Sequence, residues 1–291
     1  MAVKEGSIAT PRALAAQPAP LIAQSASEPK PSGRDPEPNA TTGLQRQAGL
    51  IRKARMRRPI SALAVLVLAP LLGGAASPGA TPPDLEAEGW RKVEWHGIRP
   101  AEFSSTAGGG VRIRGQGQGS FIARPMPGPP ACLAWRWRVD AGPPPTDLTR
   151  RGGDDRAIAV SVGFTGFPSA AGLALRAQHA VAQASAGQRS LPRSALTYVW
   201  GGTGREGANS PTGFFPSPWT PGITMIRVMR PADAPRGQWV EERVDLGADW
   251  RAAFGGTEVP PMLEVVISMD VEDSGARVDA QVENIRLVPC R

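Results

Sequence analysis

Five carboxylates fall in two short runs, Asp154-Asp155 and Asp270-Val271-Glu272-Asp273. Asp154 and Asp155 directly precede a stretch of β-forming residues, and the second run ends another. If those strands are neighbours with matching ends, the carboxylates converge. Oxygen donors in that number suit a hard cation such as calcium, which takes six to eight of them. Asp154, Asp155, Asp270 and Asp273 are then the expected ligands, and calcium is the one cofactor the sequence suggests. The alternative is turn chemistry, since Asp caps its own backbone and Asp273-Ser274-Gly275 ends in a residue free to adopt positive φ. The run from Asp270 overlaps the start of a helix-loop-helix calcium loop by chance only: its twelfth position is Gln281, and no helix flanks it.

A second group of residues suits ligand binding. Trp200 and Trp219 flank a Gly/Pro-rich loop that also carries Phe214 and Phe215. Tryptophan faces stack on sugar rings, so these four aromatics are the candidate glycan contacts. The alternative is that they cover the core beneath a long loop. Trp135 and Trp137 share a face with Leu133 and belong to the core.

Catalytic constellations are weak by comparison. A serine nucleophile needs a base, and from Ser77 onward there are only His96 and His179, with no Gly-x-Ser-x-Gly elbow. Glycoside hydrolysis needs two carboxylates about 5–10 Å apart. Glu241, Glu242, Asp270 or Glu272 could supply them, but no spacing singles out a pair, and Glu241 and Glu242 point to opposite faces of one strand. Too few Cys and His are present for zinc. Gly115-x-Gly117-x-Gly119 precedes no helix-forming segment and reads as a β-edge or bulge. Nucleic acid is excluded as a partner on charge. The net +7 divides into ten Lys and Arg against four Asp and Glu up to Arg58, and 23 against 22 from Ser77 onward, with no basic stripe.

The elements that position these residues are β-strands. Residues 131–140 alternate, with Leu133, Trp135, Trp137 and Val139 on one face and Ala134, Arg136 and Arg138 on the other, the signature of a half-buried strand. The pattern recurs over 157–164, 195–201, 223–229, 239–246 and 263–270. Further strands are expected over 92–98, 111–114 with 120–123, and 278–288. Some nine strands between Gly/Pro-rich turns predict an all-β fold, an antiparallel β-sandwich of jelly-roll type. One stretch, 172–187, is Ala-rich between Pro168 and Pro192 and predicts a short inserted helix. Leu173, Leu175, Ala177, Ala180, Val181 and Ala184 would form the face that lies on a sheet, with His179 as a surface or packing residue.

Taken in order, LAWRWRVD, GGDDRAIAVSVGF, LTYVWG, NSP, GQWVEERVDLGADWRAAFG and MDVEDSG resemble the family of exported bacterial domains of unknown function numbered 3047, over about residues 90–288. The resemblance implies a single all-β domain in the cell envelope and no established activity, cofactor or partner. Where relatives tend to carry a Thr-Asp-Thr-Asp-like run, this chain has Met269-Asp270-Val271-Glu272-Asp273.

The compartment follows from residues 56–76, where two arginines, an apolar run and small residues give the layout of a secretory signal. A single short membrane anchor is the alternative; Pro70 interrupts it, and this uncleaved form is the one expected contact with a membrane. The organisation expected is thus 1–55 as a disordered extension, or untranslated if Met56 is the start, 56–76 as the signal, 77–89 as a linker and 90–291 as the β-sandwich. In a periplasmic or secreted protein Cys132 and Cys290, at the outer ends of two expected strands, would close a disulfide; two free buried thiols are the alternative. The expected function is a non-catalytic binding module with a glycan or envelope protein as partner. A structural or assembly role in the envelope, and a carboxylate-dependent glycoside hydrolase or lyase, are the alternatives.

Overall fold

The computed structural model describes residues 76–290. The N-terminal extension and, apart from Ala76, the signal-like segment lie outside the described residues. In chain order the elements are β1 (Ala76–Pro78), α1 (Pro83–Ala87), β2 (Arg91–Trp95), β3 (Glu102–Ser105), β4 (Val111–Gln116), β5 (Gly119–Gly128), β6 (Cys132–Ala141), β7 (Arg156–Phe164), α2 (Leu173–Ser185), β8 (Ser194–Gly201), β9 (Phe215–Pro216), β10 (Thr224–Arg230), β11 (Val240–Asp245), α3 (Leu246–Phe254), β12 (Met262–Asp270) and β13 (Arg277–Val288). They form an eight-stranded sheet in the order β1-β2-β5-β12-β7-β8-β10-β9 and a five-stranded sheet in the order β11-β6-β13-β4-β3. The fold is an all-β sandwich of jelly-roll type. One pair departs from the antiparallel expectation: β10 runs parallel to β8. The long connection over 202–223 makes that possible, because parallel neighbours need a crossover rather than a hairpin.

The alternating faces close on each other. Trp135 and Trp137 of β6 meet Tyr198 and Trp200 of β8 with ring centroids 5.6 and 5.8 Å apart, and all four side chains are buried. Ile158, Val160 and Val162 of β7 and Val265, Ile267 and Met269 of β12 complete the inner layer. Each buried indole removes about 150–250 Å² from water, so at about 25 cal/mol per Å² it contributes about 4–6 kcal/mol before entropy is counted. A smaller cluster of Leu148, Ala159, Val199, Phe215 and Ile226 packs on the other face of the eight-stranded sheet. There Ala159 and Val199 alternate with the core residues of their strands.

Cys132 and Cys290 are joined in a disulfide, with Cα atoms 5.1 Å apart, inside the reach of about 7 Å that such a bond allows. Cys132 opens β6, and Val288 of β13 is its register partner.

Three expectations need correction. Residues 77–89 are not a linker: β1 pairs with β2, Thr81 Oγ1 accepts a hydrogen bond from Lys92 N at 2.8 Å, and Leu85 of α1 is fully buried. The helix expected over 172–187 forms as α2 but turns its apolar stripe outward, with Leu173 87% and Val181 67% exposed. Its docking is polar and local. His179 stacks edge-on to Phe167 at 5.0 Å with Nε2 3.0 Å from Pro192 O, and Gln183 bonds Arg189 O and Leu191 N. His179 is therefore a packing residue. Finally, α2 is not the sole helix. Asp245 caps α3 by accepting from Ala248 N at 2.9 Å, and Gly255 ends it at φ 73°. Leu246, expected to close the strand 239–246, thus begins a helix instead.

Candidate functional site

The antiparallel pairing of β7 with β12 places Asp270 opposite Arg156, so the two acidic runs do meet. Gly201 at the end of β8 pairs with Arg156 as well. One end of the sandwich therefore gathers the β6–β7 loop (142–155), the loop leaving β8 (202–214) and the β12–β13 turn (271–276). The β4–β5 turn reaches the same end. Gly117 takes its positive φ there, and a Cβ at Gly119 would meet Asp270 Oδ1 at 2.5 Å. The three-glycine pattern is a tight turn beside a buried carboxylate.

Asp154, Asp155 and Asp270 are 5%, 1% and 7% exposed. Each commits one oxygen. Trp219 Nε1 donates to Asp154 Oδ2 at 2.7 Å, Ser274 N donates to Asp155 Oδ2 at 2.8 Å, and the Arg156 guanidinium lies 3.5 Å from Asp270 Oδ2 and 3.7 Å from Asp154 Oδ2. The second oxygen of all three, with Oε2 of Glu272, is buried and has no hydrogen-bond partner among the described residues. Burial pushes the Asp270 carboxyl well above the usual carboxylate range. Arg156 opposes that shift, while Glu272 and Asp154 add to it. Oxygens of Asp155, Glu272 and Asp273 lie within 4.8 Å of one another. Of the four carboxylates expected to converge, Asp155 and Asp273 thus lie with Glu272, whereas Asp154 and Asp270 share Arg156.

Beside the acidic end lies a cup of about 520 Å³. Thr203, Asn209 and Ser210 line it from one loop and Asp147 and Thr149 from the other, with Ala208, Pro216 and the buried Phe214 and Phe215 completing the wall. Glu206 ties the two loops, accepting at Oε1 from Thr203 N at 2.8 Å and from Leu148 N at 3.4 Å. Its Oε2 is buried and without a partner among the described residues.

The aromatics expected to stack on sugars are differently placed. Trp200 is 1% exposed inside the sandwich, and Phe214 and Phe215 retain 2% and 6% of their surface. None of these three offers a ring face, because the loop folds them onto the two apolar clusters. Trp219 is half-buried, with its N–H given to Asp154 and the Arg151 guanidinium 4.8 Å from its ring centroid. Nor do Glu241 and Glu242 form a catalytic pair. Glu242 is buried against Trp137 Nε1 and Arg230 Nε, while Glu241 faces solvent. Sequence reasoning left Arg156 and Glu206 out, and did not place Glu272 among the ligands. Arg156 directly follows the Asp-Asp pair and was legible as its counter-charge; nothing in the sequence marked Glu206.

These features define a β-sandwich domain with an acidic, loop-built end. The chain belongs to the family described as Protein of unknown function (DUF3047), which matches residues 88–286. No curated protein matches it in sequence. Among solved structures it is similar to the xyloglucanase domain of NopAA, a type three effector from Sinorhizobium fredii in complex with cellobiose. That likeness has 9% identity and a TM-score of 0.37, over 74% of this chain and 96% of the other. It is also similar to a cellulase derived from Cel12A of Rhodothermus marinus, at 10% identity and a TM-score of 0.38, over 73% and 98%. At these scores the likenesses decide nothing about this chain's activity.

Proposed function

We propose that the protein is an exported, non-catalytic binding module that holds a hydroxyl-rich ligand of the glycan class in the cup beside its acidic end. The observation that carries this reading is the composition of the cup wall. Hydroxyl and amide groups of Thr149, Thr203, Asn209 and Ser210 stand beside the exposed apolar surface of Ala208 and Pro216. A sugar presents the matching mixture of hydroxyls and C–H surface, and pockets of this kind fix a ligand through a few placed polar groups. The cup's two carboxylates are engaged in holding loops. Asp147 accepts from Thr149 and pairs with Arg150 at 2.9 Å, and Glu206 accepts two backbone N–H groups. Asp147 is thereby held within its own loop, and of Glu206 only the buried Oε2 is without a partner among the described residues; this engagement supports binding over hydrolysis. Export is supported by the disulfide, because such bonds persist in oxidising compartments.

A glycan array probed with the purified protein tests the reading. A positive glycan should then bind the Asn209→Ala variant about fivefold more weakly, the cost of one hydrogen bond, with the melting temperature unchanged. An array with no binder, or a binder indifferent to changes at Asn209, Ser210 and Thr203, would overturn it.

A further inference from the structure

We propose that the acidic end holds one calcium ion, with Asp155, Glu272 and Asp273 as its carboxylate ligands. Charge balance is the first ground. Five carboxylates occupy this end, and Arg156 is the one cationic side chain within 4 Å of any of them among the described residues. Arg156 is turned to Asp154 and Asp270, which leaves the other three without a counter-charge.

Unpaired oxygens are the second and independent ground. Asp155 is 99% buried, yet its Oδ1 has no partner among the described residues, and Glu272 Oε2 is buried in the same condition. A buried polar atom without a partner costs about 1–3 kcal/mol, more when charged, so native folds leave few of them. Here two belong to the proposed ligands, and Asp154 Oδ1 and Asp270 Oδ1 at the same end are likewise without a partner among the described residues.

Geometry selects the ion. Calcium–oxygen bonds of 2.3–2.6 Å put two ligands of one ion at most about 5 Å apart, and the three carboxylates meet within 4.8 Å. Magnesium binds at shorter range and keeps most of its waters, which suits three converging carboxylates less well than calcium does. The ion would bridge the β6–β7 loop, through Asp155, to the β12–β13 turn, through Glu272 and Asp273. That turn is already tied to Asp155 by Ser274 N.

The test needs no glycan, so its failure and that of the proposed binding function are separable. Chelator-treated protein is titrated with calcium by calorimetry and melted over a range of calcium and magnesium concentrations. One calcium per chain is expected, with a rise of about 3–5 °C for each tenfold increase in calcium above the dissociation constant. Asp155→Asn should abolish binding but risks the fold. Asp273→Asn, at an exposed position, should keep the chelated melting temperature and weaken calcium at least tenfold. Melting indifferent to calcium and chelator would overturn the proposal. So would equal responses to calcium and magnesium, or a response retained in Asp273→Asn.

Discussion

Breaking the Cys132–Cys290 bond should cost far more stability than any single hydrogen bond in the domain, while leaving the native structure in place. The two cysteines are 158 residues apart in sequence. On the chain-entropy account a loop of that length removes about 5 kcal/mol of denatured-state freedom. The native state loses little, because β6 and β13 are already neighbours whose ladder runs up to the Val288–Cys132 pair. A domain of this size shifts about 2–4 °C per kcal/mol, so Cys132→Ser, Cys290→Ser and the double variant should each melt about 10–20 °C below the oxidised protein. All three should melt alike, since either change alone removes the whole cross-link. The assay is calorimetry of the oxidised protein beside the three variants, with near-ultraviolet circular dichroism at 25 °C as the check on the native Trp cluster. A double variant within about 2 °C of the parent, or single variants that add up to the double, would refute the reasoning. Either result would mean that the bond acts through local contacts rather than through the unfolded chain.

Asp279 is held below the usual carboxylate range by its hydrogen bonds with Arg112, at 2.8 and 2.7 Å. A depressed carboxyl contributes stability above its unfolded value of 3.8 and loses it as pH falls through the folded value. Asp279→Asn should therefore cost about 1–1.5 kcal/mol at pH 7, kept small by solvent around Arg112, and the gap should close below about pH 4 in urea titrations. A gap that widens in acid would contradict the assignment. Leu148→Ala, in the cluster beneath the two cup loops, should cost about 2–5 kcal/mol in the same assay; a cost under about 0.5 kcal/mol would show that the loops are held by polar contacts alone. Val181→Lys on the outward stripe of α2 should change stability by no more than about 0.5 kcal/mol, and a larger loss would mean that the stripe is covered.

Much of the sheet framework was legible because alternation is a local property. Leu133, Trp135, Trp137 and Val139 show their face within ten residues, and the strands over 157–164, 195–201 and 263–270 carry the same signal. What local pattern cannot supply is the partner of a face. The stripe of α2 has the right spacing for burial, yet Ala and a few Leu and Val gain too little from it to outweigh the polar anchors of His179 and Gln183. Short elements failed for a related reason. The four residues of β3 hold one apolar position, Phe103, and the two of β9 are recruited by the Phe215–Ile226 pairing with β10.

Aromatic residues in a Gly/Pro-rich loop look like a binding surface because the sequence does not show what lies beneath the loop. Here Leu148, from a different loop, completes the cluster that covers Phe215, and that contact spans 67 positions. The carboxylates were easier to read, because convergence needed only that β7 and β12 be neighbours. Which of the carboxylates gain a counter-charge depended on the first residue of β7: Arg156 reaches Asp154 and Asp270 and leaves Asp155 to the turn. The two loops that build the cup share that arrangement, since the segment 142–155 carries Leu148 toward Glu206 at one point and Asp155 toward the acidic turn at another. A change at Asp273 therefore reaches the cup only through this segment, whereas a change at Asn209 touches the cup alone. If the cation orders the segment, Asp273→Asn should weaken a cup ligand in calcium and leave its affinity unaltered in chelator. If cup and cation are independent, the ligand's affinity should ignore both.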